Sequence, residues 1–245
     1  YPTDRVFYSD LFIKNIKTVW GDFLVKSSKK YDFEIRIIPE DGHGEVIVRE
    51  LGEKYYFLTF TRNFSKKFVT SNYSTSLPNI DLLLKEIFAY LTRRDGFLLH
   101  GSSLADKGGN LLVFMAPSGG GKTTTAVNLS DSKHNFFSDD IVIVRRLMGK
   151  WYFYSPPFIE KLNSPKLKRA TGAKFFIVKK SKSVSVETVT DKGEILPVIL
   201  GQIWLREKMS EKILKNAIRF VKENDFYILS ASLNKKAIRK VVYEA

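Results

Sequence analysis

The chain has 245 residues, with 40 lysine and arginine residues against 26 aspartate and glutamate residues, a formal net charge of +14 and no cysteine. This length is sufficient for one large domain or two small ones with a full hydrophobic core. The absence of cysteine excludes a disulfide framework and a cysteine-based metal site. No apolar run approaches the roughly 20 residues of a membrane span, and the chain does not begin with a signal-peptide pattern. We therefore expect a cytoplasmic protein without a membrane partner.

The positive charge is spread along the chain rather than gathered on one segment. Lysine pairs occur at 29–30, 66–67, 179–180 and 235–236, but no single helix collects them into a basic stripe, and no nucleic-acid-binding motif is present. Nucleic acid is therefore not expected as a partner. A lysine-rich composition without cysteine also occurs in heat-adapted proteins, and we favour that interpretation, with a basic rim around a site for anionic ligands as a smaller contribution.

Residues 1–78 carry short alternating or aromatic and β-branched runs, at 6–13, 22–27, 32–38, 45–51 and 54–61. Turn-forming residues at 39–44 and 52–53 interrupt them, which predicts a β-rich meander. Because no glycine- or proline-rich linker separates this region from residues 79–245, we favour an extension of the sheet that follows. A separate module that grips a substrate or peptide is the alternative.

A helix is predicted to begin near Asn79, since apolar residues then recur at helical spacing until the cations and glycine of 93–96 end it. An apolar strand follows and ends at His100. The polar turn 106–110 then predicts a hairpin. The hairpin either returns His100 toward the segment that follows or leaves it at the far end, and a histidine at a strand end is more often structural than functional.

The segment 116–123 reads A-x-x-x-x-G-K-T, a phosphate-binding P-loop with alanine in place of its first glycine. An apolar run at 110–115 precedes it as a strand, and 124–129 follows as a helix, which is the context that the motif requires. Backbone N–H groups of such a loop and the helix N-terminus face phosphate oxygens. The predicted nucleotide-binding residues are Ser118, Gly119, Gly120, Gly121, Lys122, Thr123 and Thr124. Among them, Lys122 reaches the β- and γ-phosphates, and the Thr123 hydroxyl is a ligand for Mg²⁺.

Asp139 and Asp140 follow Lys122 by seventeen and eighteen residues and precede an apolar β-branched run. Two adjacent carboxylates near a triphosphate can divide two tasks, because one can hold Mg²⁺ and the other can accept a proton from an attacking hydroxyl. An Asp-Asp pair in a solvated turn is common, and only the preceding P-loop at this spacing favours the functional interpretation.

The order of motifs in this chain resembles that of the HPr serine kinase/phosphorylase family. The motifs are His100-Gly101, then a predicted hairpin, then P-S-G-x-G-K-T and finally Ser-Asp-Asp. The nucleotide core of that family is similar to that of phosphoenolpyruvate carboxykinase. The resemblance covers residues 96–145 and continues weakly through 152–158. Two departures are Ala116 and the absence of an E-x-R-G-type loop in 146–200, so HPr itself is not the expected acceptor.

The resemblance implies a Mg²⁺-dependent kinase that moves the γ-phosphoryl group of ATP to a serine-type hydroxyl of a peptide, protein or small molecule. It implies Lys122 on the phosphates, Thr123 and Asp140 on Mg²⁺, Asp139 as the base and His100 near the transferred phosphoryl group. HPr kinases assemble into hexamers, so the resemblance also admits a homo-oligomer. A nucleotide-gated binding protein with slow ATP hydrolysis is the alternative function.

Downstream, 174–178 and 184–189 are predicted to be paired strands, 209–223 a helix, 226–229 a strand and 233–244 a closing helix. The whole order predicts a mixed α/β fold with a substantially antiparallel sheet, of the α+β-like type, around a P-loop kinase core. Trp151, Tyr152, Tyr154 and Phe158 are candidate walls of an adenine pocket, although sheet core is favoured. Arg145 or Arg146 could neutralise transition-state charge, although a solvated strand end is favoured.

Overall fold

The computed structural model describes residues 14, 17–23, 34–37, 68–71, 77–106, 108–131, 134–158, 167–205 and 208–245. The chain divides into two compact units, one of residues 1–85 with 157–159 and one of 86–156 with 160–245. The separation into regions 1–78 and 79–245 stays a prediction. No helix in the described ranges combines the length and apolar character that crossing a membrane requires.

In the first unit, two short strands pair in parallel, namely β1 (Glu34–Ile37) and β2 (Phe68–Ser71). The strand predicted at 32–38 is confirmed over 34–37, and its parallel partner at 68–71 was not predicted. The β-rich meander of this region stays a prediction. The strand predicted at 22–27 is wrong at its first two residues, which belong to a 3₁₀ helix (Gly21–Phe23). The predicted strands at 6–13, 45–51 and 54–61 lie outside the described residues.

The predicted helix after residue 79 is confirmed as α1 (Leu77–Thr92). It ends where the Asp95 amide donates to the Thr92 carbonyl, and Gly96 then begins a strand. A Cβ at Gly96 would lie 1.8 Å from the Val144 carbonyl oxygen of the neighbouring strand. Glycine therefore ends the helix and also permits the close approach of two strands.

The second unit contains a six-stranded and a four-stranded sheet. The spatial order of the larger sheet is β11 (Ser185–Thr188), β12 (Phe226–Ala231), β10 (Gly172–Lys180), β5 (Asn110–Met115), β4 (Ser102–Ala105) and β6 (Asn135–Ser138). The smaller sheet is wholly antiparallel, in the order β3 (Gly96–His100), β7 (Ile141–Leu147), β8 (Lys150–Tyr154) and β9 (Arg169–Ala170). The predicted mixed α/β class is confirmed.

The larger sheet is mixed rather than antiparallel throughout. Strand β10 pairs in parallel with both β5 and β12, and the remaining pairs are antiparallel. The predicted pairing of 174–178 with 184–189 is wrong, because β12 lies between β10 and β11. The short connection between the two runs predicts a hairpin. The tertiary structure does not form it, because β12, which follows both runs in the chain, inserts between them.

The described part of the second unit also contains the helices α2 (Lys122–Leu129), α3 (Ile195–Gln202), α4 (Glu211–Glu223) and α5 (Lys235–Glu244). Alternate residues of β5 and β10 supply two cores, as the pleat of a strand requires. Val113 and Phe175 join the core between the sheets, to which α3 and α4 contribute. Phe114 and Phe176 join the core on the opposite face, under α2 and α5. Helix α3 was not predicted, since its run Ile-Leu-Pro-Val-Ile-Leu has no amphipathic period.

Glu223, at the end of α4, ties this helix to the smaller sheet. Its carboxylate accepts hydrogen bonds from Arg146 Nε at 2.8 Å and from Trp151 Nε1 at 2.8 Å. The hydrogen bonds from Arg146 lower the pKa of Glu223 below its ordinary value of 4.5. Burial opposes this effect, and the hydrogen bond from Trp151 adds to the lowering. The charged carboxylate is therefore more stable in the folded chain than in the unfolded chain.

This shift predicts a measurable pH dependence of stability. Because the folded pKa lies below the unfolded one, the stabilisation is present above pH 4.5 and is lost as the pH falls through the folded pKa. We expect Glu223→Gln to reduce the difference between the free energies of unfolding in urea measured at neutral and at acidic pH. The exposed Glu187→Gln is the control, and an equal change in both variants would contradict the assignment.

Candidate nucleotide and phosphoryl-transfer site

The P-loop connects a fully buried strand end to a helix N-terminus. Strand β5 ends at Met115 and α2 begins at Lys122, in agreement with the predicted strand and helix. Gly119 and Gly121 adopt positive φ angles of 73° and 97°, which side chains other than glycine rarely adopt. Ser118, Thr123 and Thr124 are exposed around this turn. The loop therefore presents the N-terminus of α2 and its flanking hydroxyl groups to solvent, which is the arrangement that binds phosphate.

Lys122 is folded back into the loop. Its side chain is buried, and Nζ donates a hydrogen bond of 2.9 Å to the Ala116 carbonyl oxygen. Burial lowers the pKa of Lys122 below its ordinary value, and the negative charge of Asp140 opposes this effect. The ammonium group exchanges this hydrogen bond to the Ala116 carbonyl if it turns to a phosphate oxygen.

Asp139 and Asp140 lie where the chain passes from the larger sheet to the smaller one, between β6 and β7. His100 and Gly101 lie at the reverse crossing, between β3 and β4, and the Gly101 amide donates to the Asp140 carbonyl oxygen at 2.9 Å. The two crossings are therefore adjacent. The hairpin at 106–110 is confirmed, and it returns the start of β4 to the P-loop end of β5, because Ser102 pairs with Phe114.

The two carboxylates have different surroundings at this junction. Asp140 is half exposed, and its Oδ1 lies 2.8 Å from His100 Nε2. Asp139 is buried, with 6% of its surface exposed. A hydrogen bond from the His100 ring fixes the direction of the Asp140 carboxylate.

Sequence reasoning missed Ser102, which is fully buried and lies beside Asp139. The Ser102 hydroxyl donates to Asp139 Oδ1 at 3.4 Å, and the neighbouring Ser103 hydroxyl donates to the Ser138 carbonyl oxygen at 3.3 Å. A buried hydroxyl requires a partner, and two consecutive serines in an otherwise apolar strand were the available signal. The pairing of β4 with β6, across 35 residues of chain, decides which groups they meet.

The structure thus brings the predicted P-loop, His100 and the Asp pair to one edge of the larger sheet. Trp151, Arg145 and Arg146 lie elsewhere in the second unit. Trp151 lies in the core between the sheets and is bonded to Glu223. Arg145 is paired with Asp95, and Arg146 with Glu223. The favoured interpretation of Trp151 as sheet core is confirmed, and the two arginines are structural ion-pair partners on β7.

The packing of Gly120 predicts a strong effect of one added methyl group. A Cβ at Gly120 would lie 2.6 Å from the Ala116 Cβ and 2.9 Å from the Pro117 carbonyl oxygen. The loop must shift to admit it, so we expect Gly120→Ala to weaken binding of an ATP analogue by about tenfold, the lower range for overpacking of about 1–3 kcal/mol. Isothermal titration calorimetry measures the change.

Gly201→Ala in α3 is the matched control, because a Cβ there would meet nothing within 4 Å. This variant should bind the analogue as the wild type does. Equal affinity of Gly120→Ala and wild type would show that the loop does not close around phosphate in the shape described.

Comparison with known proteins finds a distant likeness to a solved structure. No protein family matches the sequence, and no curated protein matches it. Among solved structures, the chain is similar to the Hpr(Ser) kinase/phosphatase from Coxiella burnetii, with 10% sequence identity and a TM-score of 0.38. The similarity covers 60% of this chain and 94% of that one. A likeness at this level does not indicate the chemistry of this chain.

Proposed function

We propose that this protein binds Mg·ATP and transfers the γ-phosphoryl group to a serine-type hydroxyl of a peptide, protein or small molecule. The observation that carries the proposal is the buried Lys122 inside a two-glycine turn, at the same sheet edge as the Asp pair. Burial of an ammonium group is unfavourable, so a buried lysine is not expected in a glycine turn that only faces solvent.

The residues present fit a magnesium nucleotide. Among the described residues, no three His, Cys, Asp or Glu side chains gather into a self-sufficient metal site. Mg²⁺ in nucleotide sites commonly takes one or two protein ligands together with phosphate oxygens and water. The exposed Thr123 hydroxyl and the half-exposed Asp140 carboxylate are suited to that role. When bound, the metal neutralises phosphate charge.

In the proposed reaction, Lys122 leaves the Ala116 carbonyl and contacts the β- and γ-phosphates. Asp139 accepts the proton of the acceptor hydroxyl, whose oxygen attacks the γ-phosphorus. The bond from that phosphorus to the β,γ-bridging oxygen breaks in line, and ADP leaves with the electron pair. The contribution of the chain is position and charge stabilisation. Ser102 holds Asp139, and His100 holds Asp140 near the transferred group.

The reaction is tested with γ-labelled ATP, Mg²⁺ and a pool of serine-containing peptides, free serine and small alcohols. We expect label on an acceptor other than water with the wild type and not with Asp139→Asn. Label released only as inorganic phosphate, at equal rates in both proteins, would refute the kinase and would favour the nucleotide-gated binding protein.

A further inference from the structure

A cluster of exposed lysines lies beside the P-loop, on the side away from the Asp pair. The cluster lies at the C-terminal end of β10, in the turn that follows and at the start of α5. We call it the lysine rim, and it consists of Lys179, Lys180, Lys182, Lys235 and Lys236. All five side chains are exposed. None of them forms an ion pair with another described residue, whereas Arg145, Arg146 and Arg239 are all paired.

Sheet register places the first part of the rim at the P-loop edge. Ile177 of β10 pairs with Met115, the last residue of β5. Strand β10 continues for three more residues, to Lys180, which pairs with Ala231 at the end of β12. The Ser181 amide also donates to the Ala231 carbonyl oxygen, so the turn carrying Lys182 lies over the end of β12.

Helix packing places the second part at the same edge. Helices α2 and α5 share one core, and the Tyr243 hydroxyl donates to the Leu129 carbonyl oxygen at 2.8 Å. From this contact α2 extends back about 10 Å to Lys122, and α5 extends back about 12 Å to Lys235, at 1.5 Å per residue. Because α2 and α5 each follow one of the parallel strands β5 and β12, which both pair in parallel with β10, their N-termini lie toward the same edge of the sheet.

The charge around the rim is of one sign. The sequence contains no acidic residue in 107–130, 170–186 or 227–243, the segments that form this side of the edge. Asp139 and Asp140 lie beyond β5 and β4, on the other side of the P-loop. Unpaired like charges held together repel one another, and a negatively charged partner relieves that repulsion.

We propose that the lysine rim binds an acidic segment of the phosphoryl acceptor. This inference rests on the proposed function, since the segment is taken to belong to the molecule whose hydroxyl reaches Asp139. From β10 to β6 there are three strand spacings, about 14 Å, which an extended chain spans in about four or five residues. The preferred acceptor therefore carries Asp or Glu residues about four or five positions from its serine.

A peptide suits the rim better than other polyanions. The rim has no aromatic residue on which a nucleic-acid base could stack. The apolar face of α5, with Ile238 and Val242, is buried and cannot enter a membrane surface. The exposed Leu233, between the two parts of the rim, adds one apolar contact that a peptide side chain can use.

The test compares two variants with the same charge change. In the first, Lys182, Lys235 and Lys236 are replaced by glutamate; in the second, the exposed Lys150, Lys208 and Lys212 are replaced by glutamate. Glutamate at the start of α5 is compatible with the helix dipole, so the fold should be retained. The probe is a fluorescent peptide with a serine and a glutamate cluster four positions away, followed by anisotropy at low and high salt.

We expect the rim variant to bind the peptide at least about tenfold more weakly and the control variant to bind it nearly as the wild type does. MgATP affinity should be equal in both. No binding by the wild type, or equal loss in both variants, would overturn the proposal. So would a rim variant that loses MgATP affinity, or one whose only loss is for an oligonucleotide or for vesicles containing phosphatidylserine.

The same variants separate this inference from the proposed function. If the wild type phosphorylates the peptide and the rim variant does so with an unchanged KM, the kinase stands and the docking surface is refuted. If the peptide binds the rim but no acceptor receives label, the docking surface stands as a binding site and the kinase is refuted. A raised KM with a similar kcat supports both.

Discussion

Replacement of Lys122 by methionine is expected to lower phosphoryl transfer by about a hundredfold or more. Methionine retains most of the aliphatic stem but has no charge, so the developing charge on the β- and γ-phosphates loses a fixed partner. ATP binding should weaken as well, because the same ammonium group contacts phosphate in the ground state. The transfer rate with γ-labelled ATP and the affinity for MgATP are measured on the same preparation.

Replacement of Lys122 can lower the stability of the loop as well as the rate of transfer. Lys122 also donates to the Ala116 carbonyl oxygen at 2.9 Å, so its loss leaves one loop carbonyl without this bond. Thermal unfolding of the variant should therefore be compared with its activity, and Lys212→Met on the surface of α4 is the control. Full transfer activity of Lys122→Met, with an intact fold, would exclude the P-loop from the reaction.

Replacement of Asp139 by asparagine is expected to lower transfer by about a thousandfold while leaving MgATP affinity unchanged. The amide has nearly the same shape and can still accept a hydrogen bond from Ser102, but it cannot take a proton from the acceptor. Asp140→Asn is the matched partner variant. It should weaken the Mg²⁺-dependent part of ATP binding, because the half-exposed carboxylate is the proposed metal ligand.

The pair of variants has clear contrary outcomes. Wild-type transfer rates in Asp139→Asn would refute its role as base. If instead Asp140→Asn lost transfer and retained MgATP affinity, while Asp139→Asn lost affinity, the two carboxylates would exchange roles. Ser102→Ala gives a further readout, since removal of the hydroxyl near Asp139 should lower kcat without changing MgATP affinity if it positions the base.

Local patterns were sufficient for the elements around the site. The strand at 110–115 is confirmed with the same bounds. The helices predicted from Asn79, at 209–223 and at 233–244 are confirmed with slightly different ends as α1, α4 and α5. The glycine-rich turn between strand and helix was recognisable because positive φ angles at Gly119 and Gly121 require glycine. In contrast, α3 could not be predicted from the sequence, since its apolar run has no helical period. The position of β12 within the sheet could not be predicted either, because it depends on pairing between distant segments.

The sequence by itself determined that a glycine-rich turn joins a buried strand to a helix and that two carboxylates and a histidine lie within forty residues of one another. Only the tertiary structure decided that these groups meet. His100 reaches Asp140 because the chain crosses between the two sheets twice, at adjacent positions. The lysine rim likewise combines residues more than fifty positions apart. Sheet order and helix packing are set by burial of whole faces, and no short segment contains that information.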